Sequence, residues 1–315
     1  MTNKERYAQW AAEVGNVPLM MQPWWMDAVC AGKQWDVLLV EDDKGEILGA
    51  MPYLLRKRIG QKYIVMPQQT TFGGIWVAPS ITDNRWEIAQ VCQSIDKQLR
   101  ALKLSYYYQQ YPIGSLPAEA MRGMRFRMRE HIAYRIDFLA DIDQIIASFS
   151  KNKRRQLQKA ASLTSDRQLN VEDFYKFHAH CQEEQHKKIS YTREFLLVLE
   201  RKARRLEQCD ILAVRNLEGE VYAAAFLVWD RTTMYFFIPC ADPAYKDSGA
   251  FTLLVLEAIK LAHQKKLAFD FSGLADTNTL RQYSQFGTTP AKFYSAERSY
   301  RPLSAFFIRC AEHFT

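Results

Sequence analysis

"WDVLLVEDDKGEILGAMPYLL" (35–55) aligns without a gap on "CDILAVRNLEGEVYAAAFLVW" (209–229), pairing Asp36 with Asp210, Gly45 with Gly219, Glu46 with Glu220 and Ala50 with Ala224. In each copy a run of β-branched and large apolar residues is broken once by a charged, glycine-containing turn. That is the pattern of a β-hairpin. The order of segments continues in parallel. "YIVMPQ" (63–68) matches "YFFIPC" (235–240), each read as a third strand that stops at a proline, Pro67 or Pro239. Apolar residues at helical spacing follow, namely Ile88, Cys92, Ile95, Leu99 and Leu102 in the first half and Phe251, Leu254, Ala258 and Leu261 in the second. "LKLSYYYQQ" (102–110) and "KKLAFDFSG" (265–273) then read as a fourth strand. In this pairing Asp270 takes the place of Tyr107, and Ser272 that of Gln109.

Three matches in the same order define an internal repeat. Each half reads helix, strand, strand, strand, helix, strand, and the helix between the last two strands permits a mixed sheet with parallel central strands. The fold class is therefore α/β, with α+β mixed sheets, in two tandem domains at 1–140 and 141–315. The boundary falls near 137–150, within and just after "RIDFLADIDQIIASF" (135–149). A chain of 315 residues is long enough for two cores.

Apolar residues make up 48 % of the chain, and no acidic or Pro/Ser/Gly-rich stretch marks a disordered tail. The start, "MTNKERYAQW", is charged, and no segment approaches the roughly 20 apolar residues of a membrane span. A cytoplasmic protein without stable membrane insertion is expected. Six cysteines (Cys30, Cys92, Cys181, Cys209, Cys240, Cys310) lack CxxC spacing, so buried free thiols are expected rather than a zinc ribbon or a disulfide framework. A net charge of +7 favours anionic partners: phosphates, tRNA, or peripheral contact with an anionic membrane face. The absence of a Gly-x-Ser-x-Gly elbow, a Walker loop and a strand-linked GxGxxG removes the serine hydrolase, P-loop and Rossmann readings.

Three antiparallel strands, a loop into a helix, and a strand beside the third one resemble the GNAT (acyl-CoA N-acyltransferase) fold, here present twice. "SKNKRRQLQKA" (150–160) together with "DFSGLADTNTLRQYSQFG" (270–287) is similar to the Fem-type (FemABX-like) peptidyltransferases and the GNAT N-acetyltransferases grouped with them. The resemblance implies transfer of an acyl group from acetyl-CoA or another acyl-CoA, or from an aminoacyl-tRNA, to an amine. Fem-type proteins commonly carry a lysine three positions before the phenylalanine of the Phe-Gly pair. This chain departs from them with Tyr283, Arg281 lying nearby.

Under that resemblance "AYKDSGAF" (244–251) is the donor loop. A helix N-terminus offers unpaired N–H groups and partial positive charge, Gly249 permits close approach by a phosphate, and Lys246 adds a formal charge. Lys246, Asp247, Ser248, Gly249 and Ala250 are the expected cofactor-binding residues, against an ordinary helix start capped by Asp247 or Ser248. Gly73 and Gly74, in the first half's equivalent region, read as turn glycines. Lys151, Arg154 and Arg155 share most of one face of a basic helix suited to substrate phosphates, the alternative being a solvated face. Ser272 is a further candidate contact. Asp270, Tyr283, Arg281 and Asp242 are the candidate catalytic residues, with Arg281 the expected partner of an Asp270 that would otherwise be a costly buried charge. In "HAHCQEEQH" (178–186) the two-residue spacing sends His178 and His180 in different directions, so no metal is expected there and the cluster reads as structural or cleft-lining.

Three functions compete. One is a tandem GNAT acyltransferase using acyl-CoA and a small-molecule or precursor amine. The second is a Fem-type aminoacyl-tRNA-dependent transferase acting on a cell-wall precursor. The third is a non-catalytic binding module, in which the cleft between the third and fourth strands of the second half is filled by side chains, Phe251 among them.

Overall fold

The computed structural model describes residues 1–30, 35–137 and 141–301. Cys310 and residues 138–140 of the expected boundary lie outside the described residues. In chain order the elements begin with α1 (Asn3–Val14), α2 (Pro23–Val29), β1 (Trp35–Glu41), β2 (Ile47–Arg58), β3 (Gln61–Val65), β4 (Trp76–Val77), α3 (Arg85–Ala101), β5 (Tyr106–Gln110), α4 (Leu116–Ala120) and β6 (Arg127–Ile136). They continue with α5 (Ile142–Ser148), α6 (Lys151–Lys159), β7 (Thr164–Asp166), α7 (Val171–Glu184), α8 (Arg193–Arg205), β8 (Cys209–Arg215), β9 (Val221–Trp229), β10 (Thr233–Ala241), α9 (Ala250–Gln264), β11 (Ala268–Asp270), α10 (Thr277–Tyr283) and β12 (Thr289–Ser299). Two compact units result: Met1–Ile132 together with the segment from Lys292, and Ala133–Ala291. The sequence pattern had placed everything after residue 140 in the second domain. Ser295–Ser299 instead pair antiparallel with Tyr106–Gln110 of β5, which holds the end of β12 in the first unit.

The repeated hairpins agree in detail. β1 meets β2 with Asp36 opposite Tyr53, and β8 meets β9 with Asp210 opposite Leu227, the same register displaced by the repeat. Both tips close alike: Asp42 N–H bonds Glu46 O and Gly45 N–H bonds Asp42 O, as Asn216 N–H bonds Glu220 O and Gly219 N–H bonds Asn216 O. Gly45 and Gly219 hold φ of 83° and 87°, a left-handed geometry that side chains resist, which is why glycine recurs there. Each hairpin also carries a bulge at the matching place, Val40/Glu41 and Val214/Arg215.

A helix covers one face of each unit's sheet. α3 buries Ile88, Val91, Cys92, Ile95 and Leu99, while α9 buries Leu254, Val255, Ala258, Ile259 and Ala262. The strands on either side of each helix run parallel, β3 with β5 and β10 with β11. Tyr107 lies in the core with Leu99, and Phe269 and Phe271 lie in the core with Leu254. Asp270, between those two phenylalanines, therefore faces the other way, and the pairing of Asp270 with Tyr107 is one residue out. Side chains alternate along a strand, so a slip of one exchanges the faces.

β10 and β11 pair only from Thr233 to Tyr235 with Ala268 to Asp270. Beyond that point β10 runs on to Ala241 against β9 alone, past a register shift between Tyr235 and Ile238. Pro239 thus lies inside β10, opposite Ala225, rather than ending it. A proline has no N–H to lose to a missing neighbour, which suits this half-open edge. In the first unit the equivalent space is filled: Gln109 Oε1 accepts the Gly74 N–H at 2.9 Å, and a Cβ on Gly73 would sit 2.5 Å from that oxygen. Gly73 and Gly74 are turn glycines packed against Gln109 and Tyr111.

Candidate active cleft

The open edge of β10 borders a cleft of about 660 Å³. Pro239 to Asp242 line one side, α6 contributes Asn152, Lys153 and Gln156, and the end of α7 with the loop beyond it contributes Gln182, Gln185 and Lys187. Lys246, Gly249, Phe251 and Thr252 come from the turn into α9, and Thr279, Gln282 and Tyr283 from α10. Among the described lining residues three lysines face one carboxylate, Asp242, and side-chain amides supply much of the remaining polarity. Such a surface suits an anionic, hydrogen-bonding ligand.

Lys153 is the unusual group. Ser150 caps α6 by accepting the Lys153 N–H at 3.2 Å. From there the inward stripe runs Lys153, Leu157, Ala160, with Leu157 packed on the core and Ala160 buried. Lys153 is consequently only 5 % exposed. Its Nζ lies 4.6 Å from the Phe286 ring centroid, and no carboxylate or hydrogen-bond acceptor pairs with it among the described residues. Burial lowers its pKa to about 8. A lysine so placed is an amine as well as an ammonium near neutral pH, able to take a proton or to face an anion.

Tyr283 stacks on Phe271 at 4.2 Å and 26°, and burial raises its phenol to about 12, so it remains a hydrogen-bond donor. Asp242 is 8 % exposed; its Oδ1 accepts the Ala244 N–H at 2.8 Å and its Oδ2 lies 3.2 Å from His180 Nε2. The Cys240 Sγ donates to Ala224 O, and burial holds that thiol well above its ordinary range. It is a packing residue. His178 turns away from His180 to meet Tyr191 Oη at 2.6 Å, as the two-residue spacing requires.

Of the residues singled out in the sequence, the cleft gathers Lys246, Gly249, Asp242 and Tyr283. Others lie outside it. Lys151, Arg154 and Arg155 lie on the solvent side of α6, with Arg154 Nη1 returning to Ala147 O at 2.8 Å. Ser248 Oγ accepts the Ala250 N–H at 3.2 Å and donates to Tyr245 O, Asp247 is exposed, and neither they nor Ala250 line the cleft. The room Gly249 leaves is taken within the chain: a Cβ there would stand 2.0 Å from Gln156 O. α6 is further tied to α9 by Thr252 Oγ1 donating to Gln156 Oε1 at 2.6 Å.

Asp270 and Ser272 do not line the cleft either. Asp270 is 6 % exposed, and its Oδ1 accepts the Ser272 N–H at 2.6 Å from a backbone held at φ 50°. Arg135, opposite it on β6, acts on it through its charge while its own ion pair is with Asp137 at 3.2 Å, and Arg281, the partner expected from the sequence, is exposed and forms no ion pair among the described residues. Burial raises Asp270 to about 6, with Asp230 adding to the rise and Ser272 and Arg135 opposing it. Phe251 packs against Phe236 at the wall of an open cleft, so it does not fill the space as the binding-module reading required. Gln182 and Gln185 come from the 178–186 cluster, whereas Lys153 and Lys187 were not singled out in the sequence. For Lys153 the 153–157–160 stripe gave the signal.

These features define a GNAT-type domain with an open strand edge, in a chain that carries the fold in tandem. The family model for the acetyltransferase (GNAT) domain matches residues 147–283, which include every cleft residue except Gln285. Among solved structures the chain is similar to FemX, with a TM-score of 0.70 and 12 % identity over 93 % of this chain and 96 % of that one. The C-terminal domain of a putative lysylphosphatidylglycerol synthetase from Agrobacterium fabrum gives a TM-score of 0.59 and 11 % identity over 93 % and 92 % of the two chains. A tandem GNAT protein from the clavulanic acid biosynthesis pathway gives 0.54 and 11 % over 94 % of both. No curated protein sequence matches significantly. The fold is that of the Fem-like tandem GNAT proteins, and it is a fold that supports acyl transfer.

Proposed function

We propose that the second unit is an N-acyltransferase whose cleft brings the acyl group of an acyl-CoA to an amine beside Lys153. The observation that carries this reading is a buried, unpaired lysine on the wall of an open cleft in a GNAT-type domain. An amine acceptor reaches the site mostly as an ammonium and must lose a proton to attack. Lys153, held near about 8, is matched to accept it. The amine nitrogen then bonds to the acyl carbon, the C–S bond breaks, and the second proton shed by that nitrogen passes to the departing thiolate, the first remaining with Lys153 until it returns to solvent. Tyr283, a phenol that stays protonated, is the candidate donor to the developing oxyanion. Lys246 and Lys187 face the donor's phosphates beside the start of α9, where Gly249 packs against α6.

The exposed cations of α6 favour a second reading, transfer from an aminoacyl-tRNA to a cell-wall precursor, with Lys151, Arg154 and Arg155 meeting the tRNA backbone. Thermal shift and calorimetry with acetyl-CoA and with charged tRNA at low salt separate the two. The first reading requires a shift with acetyl-CoA at ~1 mM that Lys246→Ala weakens. It fails if acetyl-CoA has no effect while charged tRNA binds.

A further inference from the structure

β2 and β3 are joined by a two-residue turn between the paired residues Arg58 and Gln61. Ile59 and Gly60 sit there at φ 48° and 70°, the signs of a type I′ turn. That turn asks for Asn-Gly. A β-branched residue at positive φ is strained, and this one is also 92 % exposed, so no packing offsets the strain. Beside it Lys57 stands directly opposite Lys62, a like-charge pair that weakens a hairpin. Arg58 adjoins them, all three are exposed, and none forms an ion pair among the described residues. Arg301 donates to Gln61 Oε1, and exposed Lys103 lies two residues before Ser105, whose N–H and hydroxyl both bond Lys62 O at 2.8 Å.

The tip therefore concentrates backbone strain, an exposed aliphatic side chain and unneutralised cations, each unfavourable for the isolated fold. A nucleic-acid backbone would use the cations but leave Ile59 unexplained. An anionic bilayer uses both, because phosphates meet the cations while the aliphatic group dips below the headgroups. We propose that the hairpin tip Lys57–Lys62 docks the first unit on an anionic phospholipid membrane surface. This surface stands independently of the reading of the cleft.

Co-sedimentation of the full chain with phosphatidylcholine vesicles, with and without about 30 % phosphatidylglycerol, tests it at ~0.1 M salt. Wild type should sediment with the anionic vesicles alone. Each cation removed should weaken partitioning about fivefold, so the Lys57→Gln, Arg58→Gln, Lys62→Gln variant should fall roughly a hundredfold. Ile59→Asn should lose about tenfold while its melting temperature holds or rises, since asparagine accepts the turn geometry. That combination separates docking from unfolding. Absence of binding to anionic vesicles, equal binding to neutral ones, or undiminished binding by Ile59→Asn would each overturn the proposal.

Discussion

Replacing Lys153 by methionine keeps the aliphatic stem and removes the buried charge, so it isolates the property on which the proposed cleft chemistry rests. The pKa falls from 10.5 in the free side chain to about 8 in the fold. At about 1.4 kcal/mol per unit this amounts to at most ~3.5 kcal/mol of preference for the neutral form, and solvent at the cleft mouth reduces it to roughly 1–3 kcal/mol. The sign follows from proton counting. Between about pH 8 and 10.5 the unfolded chain binds the proton that the folded chain has released, so Lys153 makes stability rise with pH across that window. Below pH 8 both states are protonated and the full destabilisation is present. Lys153→Met should thus be more stable than wild type at neutral pH by that amount, with the difference vanishing above about pH 10.5. Urea denaturation of the two proteins across this range measures it, and taking the difference cancels the tyrosine and cysteine titrations they share. The variant should also lose acyl transfer while still binding donor. Equal stability at neutral pH, or a difference that does not change with pH, would refute the buried-amine argument.

Asp270→Asn keeps an acceptor for the Ser272 N–H and should stabilise the protein above pH 6. The raised carboxylate binds a proton in the fold that the unfolded chain has lost between about pH 3.8 and 6, so wild-type stability falls across that window relative to the variant. Because Asp270 does not line the cleft, transfer activity in the variant should stay near wild type, and a large loss would return it to the chemistry. Gly249→Ala must relieve a contact of 2.0 Å with a helix carbonyl at φ 84°, and should cost about 2–4 kcal/mol in denaturant melts. Gly219→Ala, at φ 87° with nothing within 4 Å, should cost only about 1 kcal/mol, and equal losses would show that packing against Gln156 contributes nothing.

The hairpins were legible because the turn chemistry that closes them is local: Asp42 and Asn216, Gly45 and Gly219 specify the same bond pattern from within a few residues. Arg135 as the cross-strand neighbour of Asp270 was not legible, since nothing near residue 270 encodes which strand arrives beside β11. The return of β12 to β5 was hidden for the same reason. Lys153 failed differently. Within a run of cations read for its Lys151, Arg154 and Arg155 face, Lys153 belongs instead to the apolar stripe that Leu157 and Ala160 continue. Much of the cleft's polar lining comes from α6, α7 and α10, which the repeat does not match to segments of the first half. Where the first unit lacks them, Gln109 and Tyr111 close over Gly73 and Gly74 instead. The repeat therefore encodes the scaffold, and the unmatched helices are what keep one copy's strand edge open and line it with groups able to move a proton.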